Sequence, residues 1–429
     1  MEKNKKQGGR SGRAPAPSIV GLTAALLCAT SLAATPVLAD DLPSREEMWK
    51  IIQAQQAQID ALTMRAETTD QKVEATGAQV ETIAASAEAG GEGVAGGWWD
   101  RTQIGGYGEV HYNGGDTDEV DLHRFVLFVG HDFNEDIRFF AELEVEHGLV
   151  EDTADGSGPG ELELEQAFLE FDIAENHSLT AGVQLIPVGI LNQTHEPNTF
   201  YGVERNNVEK NIIPTTWWEA AAGANGEIGH GFSYTALAHS GLKVPTTGSN
   251  AFKVRNGRQK AAKATARDGA FTGQLLWRGM PGVEVGVAAQ YQSDVTQGAV
   301  ETSATLVEGH IDAAFAMGPG EVGFRALGAV WDLDSAAAAA VNRDEQYGWY
   351  VEPSYRFPIF YGDLGFFTRY AEWDNEAGGG PDSTFSQVDL GLNYWPHPDV
   401  VLKFDYQFED KPAGQTEDNR ANLGVGFQF

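Results

Sequence analysis

Five of the six histidines in the first half of the chain are candidates for metal binding or acid–base chemistry. They are His111, His123, His131, His147 and His195. Their spacings match no zinc-ligand pattern, and side-chain alternation along strands is expected to scatter them over both faces. The sequence therefore predicts no metal site and no cofactor.

Two further patterns resemble parts of hydrolase sites. The segment 238–241 reads Ala-His-Ser-Gly, which lacks the leading glycine of a nucleophile elbow and is not followed by a strand-to-helix turn. The carboxylates of Glu161, Glu163 and Glu165 alternate along one segment and are interpreted as a polar rim rather than an acid–base pair. We predict that the protein is not an enzyme, and a catalytic role is the minor alternative.

Charged residues alternate with apolar residues in several segments that could be membrane-crossing strands. In the segment 137–146, apolar residues hold the odd positions, while Arg138 and three glutamates share the even ones. A charge on a lipid face costs about 2–4 kcal/mol at the membrane midplane, so such cations should face an aqueous interior. The predicted pore-lining cations are Arg138, Arg278, Arg325, Arg356, Arg369, Lys403 and Arg420. The alternative, that each is neutralised by an inward carboxylate, stays open.

One segment stands out from an acidic chain by its positive charge. No acidic residue occurs from Lys243 through Arg267, although the formal net charge of the chain is −33. We interpret this segment as a basic outer loop, with Lys253, Arg255, Arg258, Lys260, Lys263 and Arg267 as its candidate site residues. It would either concentrate anionic solutes at the mouth of a pore or bind the phosphates of lipopolysaccharide. Nucleic acid is an improbable partner for so acidic a protein.

The elements that position these side chains are predicted to be strands. In the last nine residues, Leu423, Val425, Phe427 and Phe429 share one face and polar residues or glycine the other. Sixteen such strands are expected from 103 to 429, joined by alternating short and long connections. Their expected starts are Gln103, Val120, Asp136, Glu161, His177, Thr215, Gly231, Gly269, Gly282, Glu301, Glu321, Glu345, Gly362, Ser383, Asp399 and Asp418. The fold class is all-β: a 16-stranded antiparallel transmembrane barrel with both ends in the periplasm.

The first hundred residues divide into three predicted parts. Basic residues, an apolar run from 19 to 34 and small residues at 37–39 indicate a signal peptide over 1–39. Residues 40–90 carry a heptad repeat that predicts a periplasmic coiled-coil stalk, favouring a trimer and long enough to approach the peptidoglycan. A single amphipathic helix docked on the barrel is the alternative. Residues 91–102 form a glycine-rich linker, and the only cysteine, Cys28, leaves with the signal peptide.

Three passages carry a resemblance to a known family. The segments 105–109 (Gly-Gly-Tyr-Gly-Glu), 123–127 (His-Arg-Phe-Val-Leu) and 186–219 together resemble the phosphate-selective porin O and P family of Gram-negative bacteria. The resemblance implies sixteen-stranded trimeric barrels, a third loop folded into the lumen and an anion path lined by arginines and lysines. By position, the segment 188–214 matches the constricting loop. The constriction candidates are His195, Glu196, Glu204, Arg205, Glu209 and Lys210.

The predicted function is passive diffusion of small anionic solutes, such as phosphate or organic acids, through a trimeric channel in the outer membrane. The stalk looks more like that of relatives that take dicarboxylates. Outer-membrane lipids, lipopolysaccharide and peptidoglycan are the expected further partners. Three alternatives stay open: a general or cation-preferring pore, an envelope-tethering protein whose pore is incidental, and a carbohydrate porin.

Overall fold

Sixteen antiparallel strands form one closed barrel in the computed structural model, which describes residues 97–115, 118–150 and 160–429. The strands are β1 (Thr102–Gly114), β2 (Glu119–Asp132), β3 (Ile137–Glu146), β4 (Leu162–Ala174), β5 (His177–Leu185), β6 (Trp218–Gly229), β7 (Phe232–His239), β8 (Ala270–Met280), β9 (Val283–Gln292), β10 (Ser303–Met317), β11 (Gly320–Asp334), β12 (Glu345–Pro358), β13 (Asp363–Asp374), β14 (Phe385–His397), β15 (Val400–Asp410) and β16 (Arg420–Gln428). Each begins within three residues of its expected start, so the predicted strand count and fold class are confirmed.

The barrel closes by pairing its first strand with its last. Tyr107 lies opposite Gln428 in the register of β1 and β16. The N–H of Phe429 donates to the carbonyl of Gly106 at 2.9 Å, and the N–H of Gly106 donates to the carbonyl of Phe429 at 3.0 Å. Closure leaves no sheet edge, which removes the unpaired backbone groups that a bilayer cannot hydrogen-bond.

Side chains alternate between an apolar outer face and a polar inner face. In β16, Leu423 is 52% exposed and Val425 45% exposed. Asn422 of the same strand points to the other face and is fully buried. In β3, Leu143 is exposed, whereas Glu142 and Glu144 are buried inside the barrel. The predicted division of β3 and β16 between lipid and lumen is therefore confirmed.

Connections at one end are short turns, and most of those at the other end are longer. In the turn between β2 and β3, the Asn134 carboxamide oxygen accepts the N–H groups of Asp136 and Ile137 at 2.9 and 2.8 Å. At the opposite end, the segments 186–217 and 240–269 are the two longest connections that the structure describes throughout. The barrel begins and ends on the short-turn side.

The four short helices of the described residues all lie outside the strands. They are 3₁₀ helices at Trp98–Arg101 and Val254–Gly257, and α-helices at Val208–Asn211 and Ala336–Ala339. Within this part of the chain, no helix is long and apolar enough to span a membrane. The predicted signal peptide and stalk lie outside the described residues, as does the first half of the predicted linker, 91–96.

Candidate functional site

The two longest connections fold back into the barrel and pack against each other there. We call 186–217 the constriction loop and 240–269 the basic loop. Apolar side chains of both loops, including Ile213 and Val254, are buried in one core with inward residues of the strands such as Trp331. The indole N–H of Trp331 donates to the carbonyl of Ile212 at 3.0 Å. The lumen is therefore narrowed by two loops, whereas the resemblance implied one.

A buried carboxylate fixes the shape of the constriction loop. Glu209 Oε2 accepts the N–H groups of Ile190 and Leu191 at 2.9 and 2.6 Å, and the Tyr350 hydroxyl donates to Oε1 at 2.8 Å. Burial raises the pKa of Glu209, although the donors from Leu191 and Tyr350 oppose the shift. The side chain is fully buried, so Glu209 holds the loop and does not face the solute path, contrary to its selection as a constriction residue.

The constriction loop also covers two predicted pore-lining cations. Arg369 is 2% exposed, forms ion pairs with Glu352 and Asp389, and donates to the Tyr201 carbonyl at 2.7 Å. Lys403 is 4% exposed, and its Nζ lies 3.5 Å from the centre of the Phe200 ring. Both side chains point inward as predicted. They do not line the open lumen, because the loop lies over them.

The other wall arginines are neutralised by carboxylates. A cavity of about 1580 Å³ below the constriction loop is lined by Arg138, Arg278 and Arg325 among others. The pairs are Arg138 with Glu170 and Asp172, Arg278 with Glu284, Arg325 with Asp312, Arg356 with Asp363, and Arg420 with Asp418. The alternative that the sequence left open, paired wall cations, therefore describes these five residues.

His195 is a buried anchor rather than an exposed constriction residue. It is 3% exposed, and its Nε2 lies 3.5 Å from Glu165 Oε2 and 3.7 Å from Glu142 Oε1. Burial disfavours the charged imidazolium, but these two carboxylates outweigh it and raise the pKa of His195. Arg124, which was not predicted as a site residue, donates to the His195 carbonyl at 2.7 Å.

The acidic members of the constriction loop differ in their contacts. Glu204 Oε1 lies 3.0 Å from His111 Nδ1 and accepts the Asn113 amide at 2.9 Å. Burial disfavours the Glu204 carboxylate, but His111 outweighs it, and the pKa of Glu204 is lowered. Glu196 is half-buried, and its side chain makes no hydrogen bond with the described residues.

Five half-buried cations of the two loops have no carboxylate oxygen within 4.0 Å in the part of the chain that the structure describes. They are Arg205, Lys210, Lys253, Arg255 and Arg258. Three of them donate to uncharged oxygens: Arg205 to Thr216 Oγ1, Arg255 to Asn211 Oδ1 and Arg258 to the Thr216 carbonyl.

Burial and mutual repulsion act on these cations together. Burial lowers the pKa of Lys210; the Glu204 carboxylate opposes this shift, while the guanidinium groups of Arg255 and Arg205 add to it. Burial lowers the pKa of Arg255 to about 10, with a contribution from Arg258. With its pKa near 10, Arg255 remains largely charged at neutral pH. The two loops thus hold like charges close to one another.

The basic loop encloses a small polar pocket. Its volume is about 360 Å³, and it is lined by Asn250, Lys253, Arg255, Asn256, Arg258 and Lys260. Lys260 lies 2.8 Å from Glu161 Oε2 and also pairs with Glu163, so it ties the loop to β4. Lys263 and Arg267 are exposed. The sequence had left open whether this loop enters the barrel.

Three of the five histidines lie together, although the sequence predicted that they would scatter. The rings of His111 and His123 stack with centroids 4.5 Å apart, and the His147 ring lies 6.0 Å from His123. A register shift between Glu109 and His111 explains the difference. β2 has one extra residue there, so Arg124 opposite Glu109 and His123 beside His111 both face the lumen.

Comparisons with known proteins agree with this architecture. The family model for phosphate-selective porin O and P matches residues 96–429. An uncharacterized protein of Aquifex aeolicus (strain VF5) is 33% identical over 334 residues, covering 72% of this chain and 75% of the relative. The chain therefore belongs to the phosphate-selective porin O and P family, which confirms the resemblance.

Solved porins share the fold at low sequence identity. The barrel is similar to an anion-selective porin from Comamonas acidovorans, with a TM-score of 0.52 and 12% identity over 76% of this chain and 99% of that one. It is also similar to the outer membrane channel DcaP of Acinetobacter baumannii, with a TM-score of 0.50 and 13% identity over 76% of this chain and 97% of that one. Family and fold together indicate an outer-membrane channel rather than an enzyme.

Proposed function

We propose that this member of the phosphate-selective porin O and P family lets small anions, such as phosphate or organic acids, diffuse passively through a homotrimeric channel. The observation that carries the proposal is the group of five loop cations without a carboxylate partner among the described residues. The trimer rests on the heptad repeat and on what the family resemblance implies.

The physical basis is the repulsion among cations that the fold holds together. An anion that enters between Lys210, Arg255 and Arg258 relieves this repulsion, so each position becomes a weak anion site. Successive weak sites admit and release a solute without trapping it, and net flow follows the concentration gradient. The polar pocket of the basic loop, at about 360 Å³, has room for a small hydrated anion.

Wall arginines contribute less to selectivity in this proposal than the sequence suggested. Arg278 and Arg325 each lie beside a carboxylate, which cancels most of their field in the cavity below the loop. Selectivity is therefore assigned to the loops.

A cation-preferring pore is the second candidate, because one side of the barrel is rich in carboxylates. Glu144 and Glu165 are buried on the inner wall, Glu146 and Glu163 lie beside them, and the pairing of β3 with β4 joins all four. These carboxylates would attract cations wherever they reach the solute path.

A reversal-potential measurement decides between the two candidates. We expect the full-length porin in a planar bilayer with a KCl gradient to favour chloride. Replacing Lys210, Arg255 and Arg258 together by Gln should lower the chloride-to-potassium permeability ratio several-fold, because the narrow region loses its unpaired charges. A wild-type pore that favours potassium, or a triple variant with an unchanged ratio, would overturn the anion proposal.

A matched variant removes the same formal charge from the wall. Replacing Arg138, Arg278 and Arg325 together by Gln should change the ratio much less. These positions border a wide aqueous cavity of about 1580 Å³, where salt screens charges over roughly 10 Å at 0.1 M. Competition of phosphate and succinate with chloride current would then rank the solutes.

A further inference from the structure

Near the outer end of the barrel, two imidazoles and one carboxylate converge on a common point. Asp121 and His123 belong to β2, and His147 is the first residue after β3. Asp121 Oδ2 lies 2.8 Å from His147 Nδ1 and 3.3 Å from His123 Nδ1. One nitrogen or oxygen from each of the three residues lies within 4.8 Å of the other two. We call these residues the Asp-His-His cluster.

The backbone directs all three side chains to this point. The extra residue of β2 places His123 on the lumen face, and His111 of β1 lies opposite Asp121 in the register. His147 has φ +55° and the following Gly148 has φ +63°, so the chain turns back and the His147 N–H donates to the His123 carbonyl at 3.2 Å. A positive φ is uncommon for a residue other than glycine, and here it brings the imidazole over β2.

The set of ligand atoms suits a divalent transition metal ion. Imidazole nitrogens combined with a carboxylate oxygen are ligands that Zn²⁺ and its neighbours prefer, whereas Mg²⁺ and Ca²⁺ prefer oxygen alone. Zinc–ligand bonds of about 2.0–2.2 Å in a tetrahedron place ligand atoms roughly 3.4 Å apart. The separations of 2.8 and 3.3 Å from Asp121 are close to that value, so only small side-chain movements are needed.

The cluster is open to the aqueous side. The His147 side chain is 40% exposed, His123 32% and Asp121 19%, so an ion can arrive without opening the barrel. His111 stacks on His123 but directs its Nδ1 to Glu204 at 3.0 Å, so we do not count it among the ligands. Three protein ligands leave a fourth position for water or an anion, as in zinc sites that exchange a ligand.

We propose that Asp121, His123 and His147 form a binding site for a divalent transition metal ion, with Zn²⁺ as the probe, at the outer mouth of the barrel. The alternative is a purely structural cluster, in which Asp121 only accepts hydrogen bonds from two imidazoles. The two interpretations differ in whether the protein binds zinc with defined stoichiometry. The proposal does not depend on the sign of ion selectivity.

Calorimetric titration of the metal-stripped, full-length protein in detergent tests the proposal. We expect one saturable Zn²⁺ site per protomer and no comparable binding of Mg²⁺. Replacing His147 by Ala, or Asp121 by Asn, should each weaken zinc binding at least tenfold, because each removes one of three ligands. Asp121→Asn keeps the shape of the side chain and His147 lies at a loop start, so both variants should retain the heat-dependent gel mobility of a folded barrel.

The control is a histidine–aspartate pair that has no second imidazole. His397 Nδ1 lies 3.3 Å from Asp399 Oδ2 at the short-turn end, and the His397 side chain is 65% exposed. His397→Ala should leave the zinc dissociation constant unchanged. The proposal is overturned if the wild type shows no saturable zinc site, or if His147→Ala and Asp121→Asn both bind as the wild type does.

Discussion

Individual ion pairs in this barrel differ mainly in how much water reaches them. Arg369 and its partners Glu352 and Asp389 are each at most 4% exposed, whereas the side chain of Arg138 is 36% exposed. An ion pair that is exposed to water contributes little to stability. A buried charge that loses its partner is not solvated in its place, so the loss is costly. Arg369 is therefore expected to contribute to the stability of the barrel, whereas Arg138 is expected to contribute little.

Arg369→Ala should destabilise the barrel strongly. The substitution leaves the carboxylates of Glu352 and Asp389 buried without a cation and removes the donor to the Tyr201 carbonyl. Breaking a buried pair in this way typically costs about 3–5 kcal/mol. Urea unfolding of the protein in lipid vesicles, followed by tryptophan fluorescence, measures the loss.

Arg138→Ala is the matched control, because Arg138 also pairs with two carboxylates, Glu170 and Asp172. Its exposure should limit the cost to about 1 kcal/mol or less. Equal losses of unfolding free energy for the two variants would contradict the role of burial.

At the same scale, the sequence predicts which face a residue occupies only while alternation is regular. Leu423, Val425 and Asn422 lie on their predicted faces. His123 and Arg124 are neighbours in the chain and yet both face the lumen, because β2 contains an extra residue relative to β1. Alternation alone carries no signal for that bulge, so the convergence of the histidines could not be predicted from spacing.

At the scale of elements, the conformation of the constriction loop depends on one side chain, Glu209. Glu209 is fully buried and accepts hydrogen bonds from two backbone N–H groups and one hydroxyl. Glu209→Ala would leave the N–H groups of Ile190 and Leu191 buried without acceptors, at about 1–3 kcal/mol each. We expect the loop to loosen and the single-channel conductance in planar bilayers to rise.

Glu196→Ala provides the comparison within the same loop. It removes the same carboxyl group from a half-buried side chain that makes no hydrogen bond with the described residues. Its conductance should stay close to the wild-type value. If both variants conduct alike, a role for Glu209 in holding the loop would be excluded.

Strand positions could be read from the sequence because alternation and turn residues are local signals, and every strand starts within three residues of its expected position. The packing of the basic loop into the barrel could not be predicted from the sequence. It depends on contacts such as the Val254 N–H with the Gln346 carboxamide oxygen at 3.3 Å, across 92 positions of sequence. Its charge marked the loop as unusual, while its apolar residues, such as Val254 and Phe252, determine where it lies.

At the scale of the whole molecule, the barrel is complete without the first hundred residues. β1 begins at Thr102, and its pairing with β16 satisfies the backbone of both strands. The channel and any attachment of the predicted stalk to the cell wall are therefore separable properties of one chain. A deletion of the predicted stalk can therefore test whether transport or tethering is the main role.

Deleting residues 43–90 should leave single-channel conductance and reversal potential in planar bilayers at their full-length values, because no residue of the sixteen strands that close the barrel is removed. In cells, the same deletion should preserve solute uptake if transport is the main role. If tethering is the main role, leakage of a periplasmic marker should increase while the purified channel still conducts normally. A truncated chain that inserts but conducts differently would show that the barrel alone does not define the pore.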